Sequence, residues 1–363
     1  MRGAMSIKDR QQRLRQGLAE KEIDAIFISQ PENRRYLSGF DGSSGYLLIT
    51  PGDTILATDF RYIEQAKRQA PDYKIFPIEG DIGNWFPKLV GGVNLKRLGF
   101  EAGHITFAMY RQLSDIVNEL ESRLRLVPLE GLVESLRVIK EAEEIELITE
   151  AVAVSDAAFE YAENMIKAGM TEKEAAWEVE KFMRAKGSET IPFDIIVASG
   201  QNSALPHAKP SSRAICSGEP VIIDIGARIG GYSSDLSRTI CPGTPDETLN
   251  KVYDTVLEAQ LTAIAMIKEG MSGGEADNAA RTVIEEAGYG EAFGHGLGHG
   301  IGLAPHEQPR LGPNSQEQLV NNMVFTIEPG VYLAGWGGVR IEDTVVMESG
   351  KIRVMSKSRK VGA

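Results

Sequence analysis

The second half of the chain contains an internal repeat, which limits the fold more than any other feature of the sequence. The segment Ile166 to Thr171 (IKAGMT) recurs as Ile267 to Ser272 (IKEGMS), at an offset of 101 residues. Further pairs agree at the same offset without a gap: Ala158 with Ala259, Met165 with Met266, Glu174-Ala175 with Glu275-Ala276, and Gly187 with Gly288. Agreement at so many positions is improbable by chance, so we predict two copies of one structural unit.

With small shifts, the repeat continues into segments that carry histidines and carboxylates. The matched segments are Pro206-His207 with Pro305-His306, Asp224-Ile225-Gly226 with Glu328-Pro329-Gly330, and Asp235 with Glu342. Each half of the repeat therefore contributes one histidine and two carboxylates. Groups of this kind, brought together by duplication, are candidates for a shared site.

The region before the repeat has a different character. A chain of 363 residues is long enough for two domains of about 100–200 residues each. From Lys8 to about Leu129, helix-like segments alternate with short apolar strand candidates, which are Ile23 to Ser29, Tyr46 to Thr50 and Thr54 to Ala57. We place the boundary near Gly131, which gives an N-terminal α/β domain of residues 1–130 and a second domain of residues 131–363.

The charge and the distribution of apolar residues exclude several classes of partner. The formal net charge of −12 would repel a phosphate backbone, so we expect no nucleic acid partner. No apolar run approaches the ~18 residues of a membrane span, and the charged N-terminal segment lacks the apolar core of a secretory signal, so we expect a cytoplasmic protein without membrane contact. Cys216 and Cys241 are too few for a disulfide framework or a thiolate metal cage.

The first pair of carboxylates falls on a predicted hairpin. Val221 to Ala227 is apolar except for Asp224, and Tyr232 to Ile240 carries Asp235. A symmetric hairpin centred between Ile229 and Gly230 places the two aspartates opposite each other. Facing buried like charges are destabilising, so one carboxyl is protonated or a cation lies between the two.

The second half repeats this arrangement. An apolar strand from Met323 to Ile327 ends at Glu328, and the alternation from Val339 to Val345 places Arg340 and Glu342 on one face. If the two halves pack about a pseudo-two-fold axis, four carboxylates converge. Two divalent cations would balance their four negative charges, which one ion cannot do.

The histidines are concentrated in the same region. Four of the five lie in the repeated part, and three of these fall within the glycine-rich segment Gly294 to Glu307. That segment fits neither the dinucleotide fingerprint nor the zincin motif, because His306-Glu307 is not followed by a histidine at the required spacing. A P-loop is also absent from the sequence, which removes the commonest NTPase assignment.

The segment His295 to Glu307, together with the four carboxylates, resembles the metallopeptidases of the pita-bread fold, which include methionine aminopeptidase, aminopeptidase P and prolidase. Three further segments resemble the proline-directed branch of this group and its creatinase-type N-terminal domain: Ser199 to His207, Gly337 to Asp343, and Arg35 to Gly45. The resemblance implies a small creatinase-like N-terminal α/β domain, followed by a pita-bread α+β catalytic domain with a pseudo-two-fold internal repeat.

The resemblance also implies a ligand set. It makes Asp224 a ligand of one metal ion, His299 and Glu328 ligands of the other, and Asp235 and Glu342 bridges between the two. Oxygen ligands with one imidazole favour Mn²⁺, with Co²⁺, Zn²⁺ and Fe²⁺ as alternatives. By the same resemblance, Glu328 handles the proton of the attacking water. The remaining implied site residues bind substrate, stabilise the intermediate or support a ligand, and they are His207, His295, His306 and Arg340.

The implied reaction is hydrolysis of the Xaa-Pro bond in small peptides with proline at the second position, by a homodimer. We lean toward dipeptides, as in prolidase, and keep aminopeptidase P as the alternative. Tyr332 and Trp336 are candidates for an apolar wall around the proline ring, and Arg310 and Arg340 are the basic residues near the motifs. A metal-independent creatinase or an inactive binding module of this fold is expected to have lost ligands, whereas all five are present here.

Overall fold

The computed structural model describes residues 6–93, 95–120 and 123–360, and the chain divides into two compact units, Met1–Arg137 and Val138–Ala363. Each unit has its own buried core. In the part of the chain that is described, no helix combines the length and the apolar character needed to cross a lipid bilayer.

The first unit is a mixed α/β sheet with helices, as predicted. Its described helices are α1 (Ile7–Glu20), α2 (Pro31–Ser38), α3 (Ile63–Gln69), α4 (Ile82–Gly91), α5 (Phe107–Glu119) and α6 (Glu134–Arg137). Its described strands are β1 (Ala25–Ile28), β2 (Tyr46–Ile49), β3 (Thr54–Thr58), β4 (Lys74–Pro77), β5 (Arg97–Glu101) and β6 (Arg125–Leu129). They form one sheet in the order β4-β3-β2-β1-β5-β6. The three strands predicted from the sequence correspond to β1, β2 and β3.

The second unit begins with the first copy of the repeat. Two helices, α7 (Ala142–Met165) and α8 (Glu172–Ala185), precede β7 (Ile196–Ser199), β8 (Val221–Ile225), β9 (Arg228–Ile229), β10 (Tyr232–Ser233) and β11 (Leu236–Ile240). The sheet order is β11-β8-β7, with β9 and β10 as a separate pair. The apolar faces of both helices and all three sheet strands meet in one core.

The second copy repeats the order of two helices followed by strands, with two strands more than the first copy. Helices α9 (Glu247–Met266) and α10 (Gly273–Glu286) precede β12 (Gly298–Gly300), β13 (Glu307–Leu311), β14 (Val324–Ile327), β15 (Gly330–Leu333), β16 (Gly337–Arg340), β17 (Asp343–Glu348) and β18 (Lys351–Val354). The sheet order is β13-β12-β14-β17-β18, with β15 and β16 as a separate pair. These elements enclose a second core, so the predicted duplication is confirmed.

The helix ends show the repeat most closely. Helix α8 is capped by Thr171 in a reciprocal capping box with Glu174, and α10 is capped by Ser272 in the same arrangement with Glu275. Each box satisfies two backbone N–H groups that the first helical turn leaves unpaired. The offset of 101 residues therefore extends from the sequence to hydrogen bonds.

The register of the first hairpin differs from the prediction. Ile229 pairs with Tyr232, and Asp224 pairs with Ser237 rather than Asp235. The turn residues are Gly230 and Gly231, both at positive φ, which glycine adopts without steric cost. The predicted centre was therefore one residue too early. Because the register error is two residues, the side chains keep their face of the hairpin.

The two hairpins also differ from each other. Asp235 and Glu342 both directly precede the last strand of their hairpin, which is β11 in one case and β17 in the other. Asp224, however, lies within β8, whereas Glu328 follows the last residue of β14. The predicted correspondence of Asp224 with Glu328 is not reproduced in the two ladders.

Candidate metal centre

All nine site residues predicted from the sequence line one cavity of about 400 Å³ in the second unit. They are His207, Asp224, Asp235, His295, His299, His306, Glu328, Arg340 and Glu342. The two halves of the repeat contribute to the same cavity, so the predicted convergence of the four carboxylates is observed.

Glu342 is held across the junction between the two halves. Its backbone N–H donates to the carbonyl oxygen of Ser237 at 2.9 Å, and the Ser237 hydroxyl donates to Glu342 Oε2 at 2.7 Å. Asp235 is fixed on the other side, because Thr344 Oγ1 donates to its carbonyl oxygen at 2.8 Å. The residues of the candidate bridging pair are thus each held by the opposite half.

The orientation of His299 points to a cation. Its Nδ1 lies 3.1 Å from the carbonyl oxygen of Gly300, which can only accept, so Nδ1 carries the proton. Burial lowers the pKa of this imidazole, which is therefore neutral at neutral pH. The Nε2 lone pair then lies 3.3 Å from Glu328 Oε1 and 3.7 Å from Asp235 Oδ2. Three acceptor atoms this close need a shared proton or a cation, and a cation would satisfy all three at once.

The carboxylates give the same indication. Burial raises the pKa of Asp235, Glu328 and Glu342, with the neighbouring carboxylates adding to the shift. Within the described chain, Asp224 Oδ1 and Glu342 Oε1 are buried without a hydrogen-bond partner. Ligand atoms of Asp235, His299 and Glu342 lie within 4.8 Å of one another. This donor set fits a hard divalent cation.

Arg340 offsets one of the four negative charges. It donates from one terminal nitrogen to Asp224 Oδ2 at 2.6 Å, from Nε to Ser237 Oγ at 2.9 Å, and from the other terminal nitrogen to the Tyr332 hydroxyl at 3.0 Å. The guanidinium is therefore engaged on all three nitrogens. It orients Asp224, which is the role of a residue that supports a metal ligand.

His295 ends a directed hydrogen-bond chain that begins at Arg340. Its Nδ1 donates to the carbonyl oxygen of Gly296 at 2.8 Å, so its Nε2 accepts from the Tyr332 hydroxyl at 2.9 Å. Burial raises the pKa of Tyr332, which keeps this phenol protonated, and burial lowers the pKa of His295. The His306 ring lies 4.2 Å from the His299 ring, and burial also lowers the pKa of His306.

Comparison with known proteins identifies this arrangement. Residues 146–349 match the sequence profile of metallopeptidase family M24, and residues 10–139 match that of the creatinase/prolidase N-terminal domain. The chain belongs to metallopeptidase family M24. This M24 enzyme therefore has the creatinase-like N-terminal domain and the pita-bread catalytic domain that the resemblance predicted.

Relatives of this M24 enzyme match along the whole chain. The Xaa-Pro dipeptidase of Pyrococcus furiosus is 38% identical over 361 residues, which cover 98% of this chain and 100% of that protein. The structure of an Xaa-Pro dipeptidase from Bacillus anthracis has a TM-score of 0.93 at 42% identity and covers 98% of this chain and 99% of that chain. The X-Pro aminopeptidase from Thermotoga maritima has a TM-score of 0.89 at 37% identity and covers 96% and 98%.

Several M24 site residues escaped the sequence analysis. Ser237, Thr326 and Phe193 carry no motif of their own. Thr326 Oγ1 donates to Glu328 Oε1 at 3.0 Å and accepts from the His299 N–H at 3.1 Å. Its position two residues before Glu328, in an otherwise apolar strand, is the one signal that could have found it.

The two candidates for an apolar wall lie in different surroundings. Tyr332 lines the cavity, together with Phe193 and Ile196. Trp336 does not line this cavity and instead packs on the core of the second half, so the prediction that Trp336 forms part of the wall was wrong. Arg310 is exposed on β13, outside the cavity lining.

Proposed function

We propose that this chain is an Xaa-Pro dipeptidase that requires two divalent metal ions, with Mn²⁺ as the preferred ion. The observation that carries the proposal is the gathering of four carboxylates and a neutral imidazole around one cavity whose charges Arg340 only partly offsets. The similarity to the Xaa-Pro dipeptidases of Pyrococcus furiosus and Bacillus anthracis supports this choice of substrate.

In this proposal, Asp224 would hold one ion, His299 and Glu328 would hold the other, and Asp235 and Glu342 would be shared by both. Bound divalent ions would polarise the scissile carbonyl and lower the pKa of a water molecule. The chain prepares the ligands through hydrogen bonds already described, from Ser237 to Glu342 and from Thr326 to Glu328.

The other cavity residues manage substrate and protons. Glu328, whose Oε1 lies 3.3 Å from His299 Nε2, would receive the proton of the attacking water. The histidines His207, His295 and His306 orient the substrate and return a proton to the proline nitrogen when the C–N bond breaks. Tyr332, as a hydroxyl donor to His295, holds that ring in one tautomer.

A proline at the second position fits the cavity wall. The proline nitrogen of an Xaa-Pro bond carries no hydrogen, so a site for it needs apolar surface rather than an acceptor. Phe193 and Ile196 supply such surface. Phe193 is held against Gly226, where a Cβ atom would lie 2.5 Å from the ring.

The test is hydrolysis of an Xaa-Pro dipeptide, an Xaa-Pro-Yaa tripeptide and an Xaa-Ala dipeptide. Chelator-treated protein should be inactive, and Mn²⁺ or Co²⁺ should restore activity. We expect the Xaa-Pro dipeptide to be cleaved fastest. Equal rates on Xaa-Ala would defeat the proline specificity, and activity without metal would defeat the metal centre.

Aminopeptidase P activity is the second candidate. The similarity to the X-Pro aminopeptidase of Thermotoga maritima favours it. A strong preference for the tripeptide would move the assignment to this activity. We also propose a cytoplasmic homodimer, for which light scattering of the purified protein gives the mass of the assembly.

A further inference from the structure

A buried ion pair lies on α10, outside the cavity. Arg281 and Asp277 stand one helical turn apart, with Nε to Oδ2 at 2.7 Å and a terminal nitrogen to Oδ1 at 3.0 Å. Their side chains are 17% and 2% exposed. Neither residue belongs to a motif or contacts the proposed ligands.

Both partners bind the backbone of the segment Phe293 to Leu297. Asp277 Oδ1 accepts from the Leu297 N–H at 2.9 Å. Arg281 donates to the carbonyl oxygen of Phe293 at 2.8 Å and to that of His295 at 2.7 Å. The guanidinium also stacks 4.2 Å from the centre of the Phe293 ring.

The anchored segment leads directly into the cavity. The Phe293 ring packs edge-on against the His295 ring at 5.1 Å, and His295 continues to Tyr332 and Arg340. The Leu297 carbonyl oxygen accepts from the N–H of Glu328 at 2.8 Å. The segment is thus held between α10 on one side and the reacting groups on the other.

Stability alone does not account for this pair. A buried ion pair is often no more stabilising than apolar residues of similar volume. The pair Glu180 and Arg184, on the equivalent helix α8, has the same spacing but is more exposed, and Arg184 Nε donates to Glu180 Oε1 at 2.9 Å within the helix. The α10 pair differs because it forms three hydrogen bonds with the backbone of the segment that carries His295.

We propose that Arg281, held by Asp277, is a positioning residue that fixes His295 for the reaction. The kinetic consequence rests on the proposed function, whereas the placement of the His295 ring does not. Losing the guanidinium frees two carbonyl oxygens of the segment, and small displacements of an orienting group cost about 10–100-fold in turnover.

The test compares Arg281→Met, which keeps the side-chain stem on Phe293, with Arg281→Lys and with the matched control Arg184→Met. Three quantities are measured: kcat and KM on an Xaa-Pro dipeptide, bound metal per chain, and the His295 ring signals in the NMR spectrum of metal-free, histidine-labelled protein. The variant His295→Gln assigns those signals. His104, in the first unit, serves as the internal reference.

We expect Arg281→Met to shift the His295 signals, leave those of His104 unchanged, keep the metal content, and lower kcat about 10–100-fold with little change in KM. Arg281→Lys should restore part of the turnover, and Arg184→Met should behave as the unmodified protein. If Arg281→Met does not fold, the double variant Asp277→Asn/Arg281→Met leaves no unpaired buried carboxylate and carries the same test.

Unchanged His295 signals in a folded variant would overturn the proposal, as would unchanged kcat. Loss of bound metal together with activity would also overturn it, because Arg281 would then act on the ligands rather than on His295. The NMR comparison uses no substrate, so it remains decisive even if Xaa-Pro peptides prove to be the wrong substrates.

Discussion

The hydroxyl of Ser237 links Arg340 and Glu342. It accepts a hydrogen bond from Arg340 Nε and donates one to Glu342 Oε2. Arg340 in turn binds Asp224. One small side chain therefore connects a carboxylate from each half of the repeat. In the metal-free protein, holding these negative charges together lowers the free energy of unfolding.

This destabilisation leads to a pH-dependent prediction for Glu342→Gln. Burial raises the pKa of Glu342 in the folded state. The folded state therefore binds the Glu342 proton more tightly than the unfolded state does. This stabilises the fold fully at pH values below the ordinary carboxyl pKa, and the stabilisation is lost as the pH rises through the raised pKa. In metal-free protein, Glu342→Gln should therefore raise the free energy of unfolding by roughly 1–3 kcal/mol near pH 8 and by less near pH 5.

Thermal or urea unfolding at the two pH values measures the effect. Glu348→Gln, an exposed carboxylate on the same strand β17, is the matched control and should show no such gain. An equal effect of Glu342→Gln at both pH values would show that the ionised carboxylate is not penalised. The variant should also bind metal more weakly.

The histidines give a second prediction at this scale. His207→Ala and His306→Ala should each lower turnover by about 10²-fold or more while the metal content stays unchanged, because neither belongs to the proposed ligand set. Metal analysis and kinetics on the same preparations measure both quantities. His104→Ala is the control, and loss of metal in either site variant would mean that the ligand set is drawn wrongly.

At the residue scale, the sequence identified which side chains meet but not how they face each other. The nine site residues were found through motifs and the repeat, and all line the cavity. The register of Asp224 was wrong because nothing local decides between a turn at Ile229-Gly230 and one at Gly230-Gly231. Ser237 and Phe193 were missed because contacts distant in sequence give them their roles.

At the scale of elements, the second helix of each repeat anchors a histidine-bearing loop through a buried charge. Helix α10 does this through Asp277 and Arg281. Helix α8 uses Glu172, which accepts hydrogen bonds from Ser199 and Ser211 on either side of His207. The two anchors occupy different positions along their helices, so the two copies of the repeat hold their histidine-bearing loops with residues that are not equivalent.

Because the two capping boxes form the same hydrogen bonds, we predict that they contribute equally to the free energy of unfolding. Thr171→Ala and Ser272→Ala should each lower the free energy of unfolding by about 1 kcal/mol, because each removes the hydroxyl that accepts from the third helical residue. Urea unfolding of the metal-loaded protein measures both losses. Thr171→Ser should be close to neutral. A cost at one helix only would contradict the equivalence of the two helix starts.

The elements themselves were partly predictable. The duplication was visible in the sequence because capping residues and the glycines that follow helices are local signals, and both recur at the offset of 101 residues. The breaks before β11 and β17 were not predicted, since the apolar alternation runs through them. Contacts between the halves, such as the bond from Glu342 to Ser237, decide where those strands restart.

At the scale of the whole molecule, the proposed ligands are divided between the halves, with two from the first and three from the second. Ions that bind only the folded protein stabilise it by mass action. Added Mn²⁺ should therefore raise the free energy of unfolding in proportion to the logarithm of its concentration, by about 2.7 kcal/mol per site at one hundred times the dissociation constant, and the unfolding midpoint should rise with it.

Asp235→Asn should abolish most of this stabilisation and lower activity by orders of magnitude, because we propose that Asp235 is shared by both ions. Calorimetry with increasing Mn²⁺ measures the response. Asp246→Asn is the control, since asparagine caps α9 as well as aspartate does. A full response to Mn²⁺ in Asp235→Asn would reject the bridging assignment.

The division of the ligands also determines what a severed chain would do. The segment 241–246 joins β11 to α9 and separates Asp224 and Asp235 from the other three donors. A cut there would leave two pieces, each with an incomplete set of donors. Reassociation of the pieces, uptake of the ions and peptide hydrolysis would then occur together, so activity of the nicked enzyme would report that both pieces are present and associated.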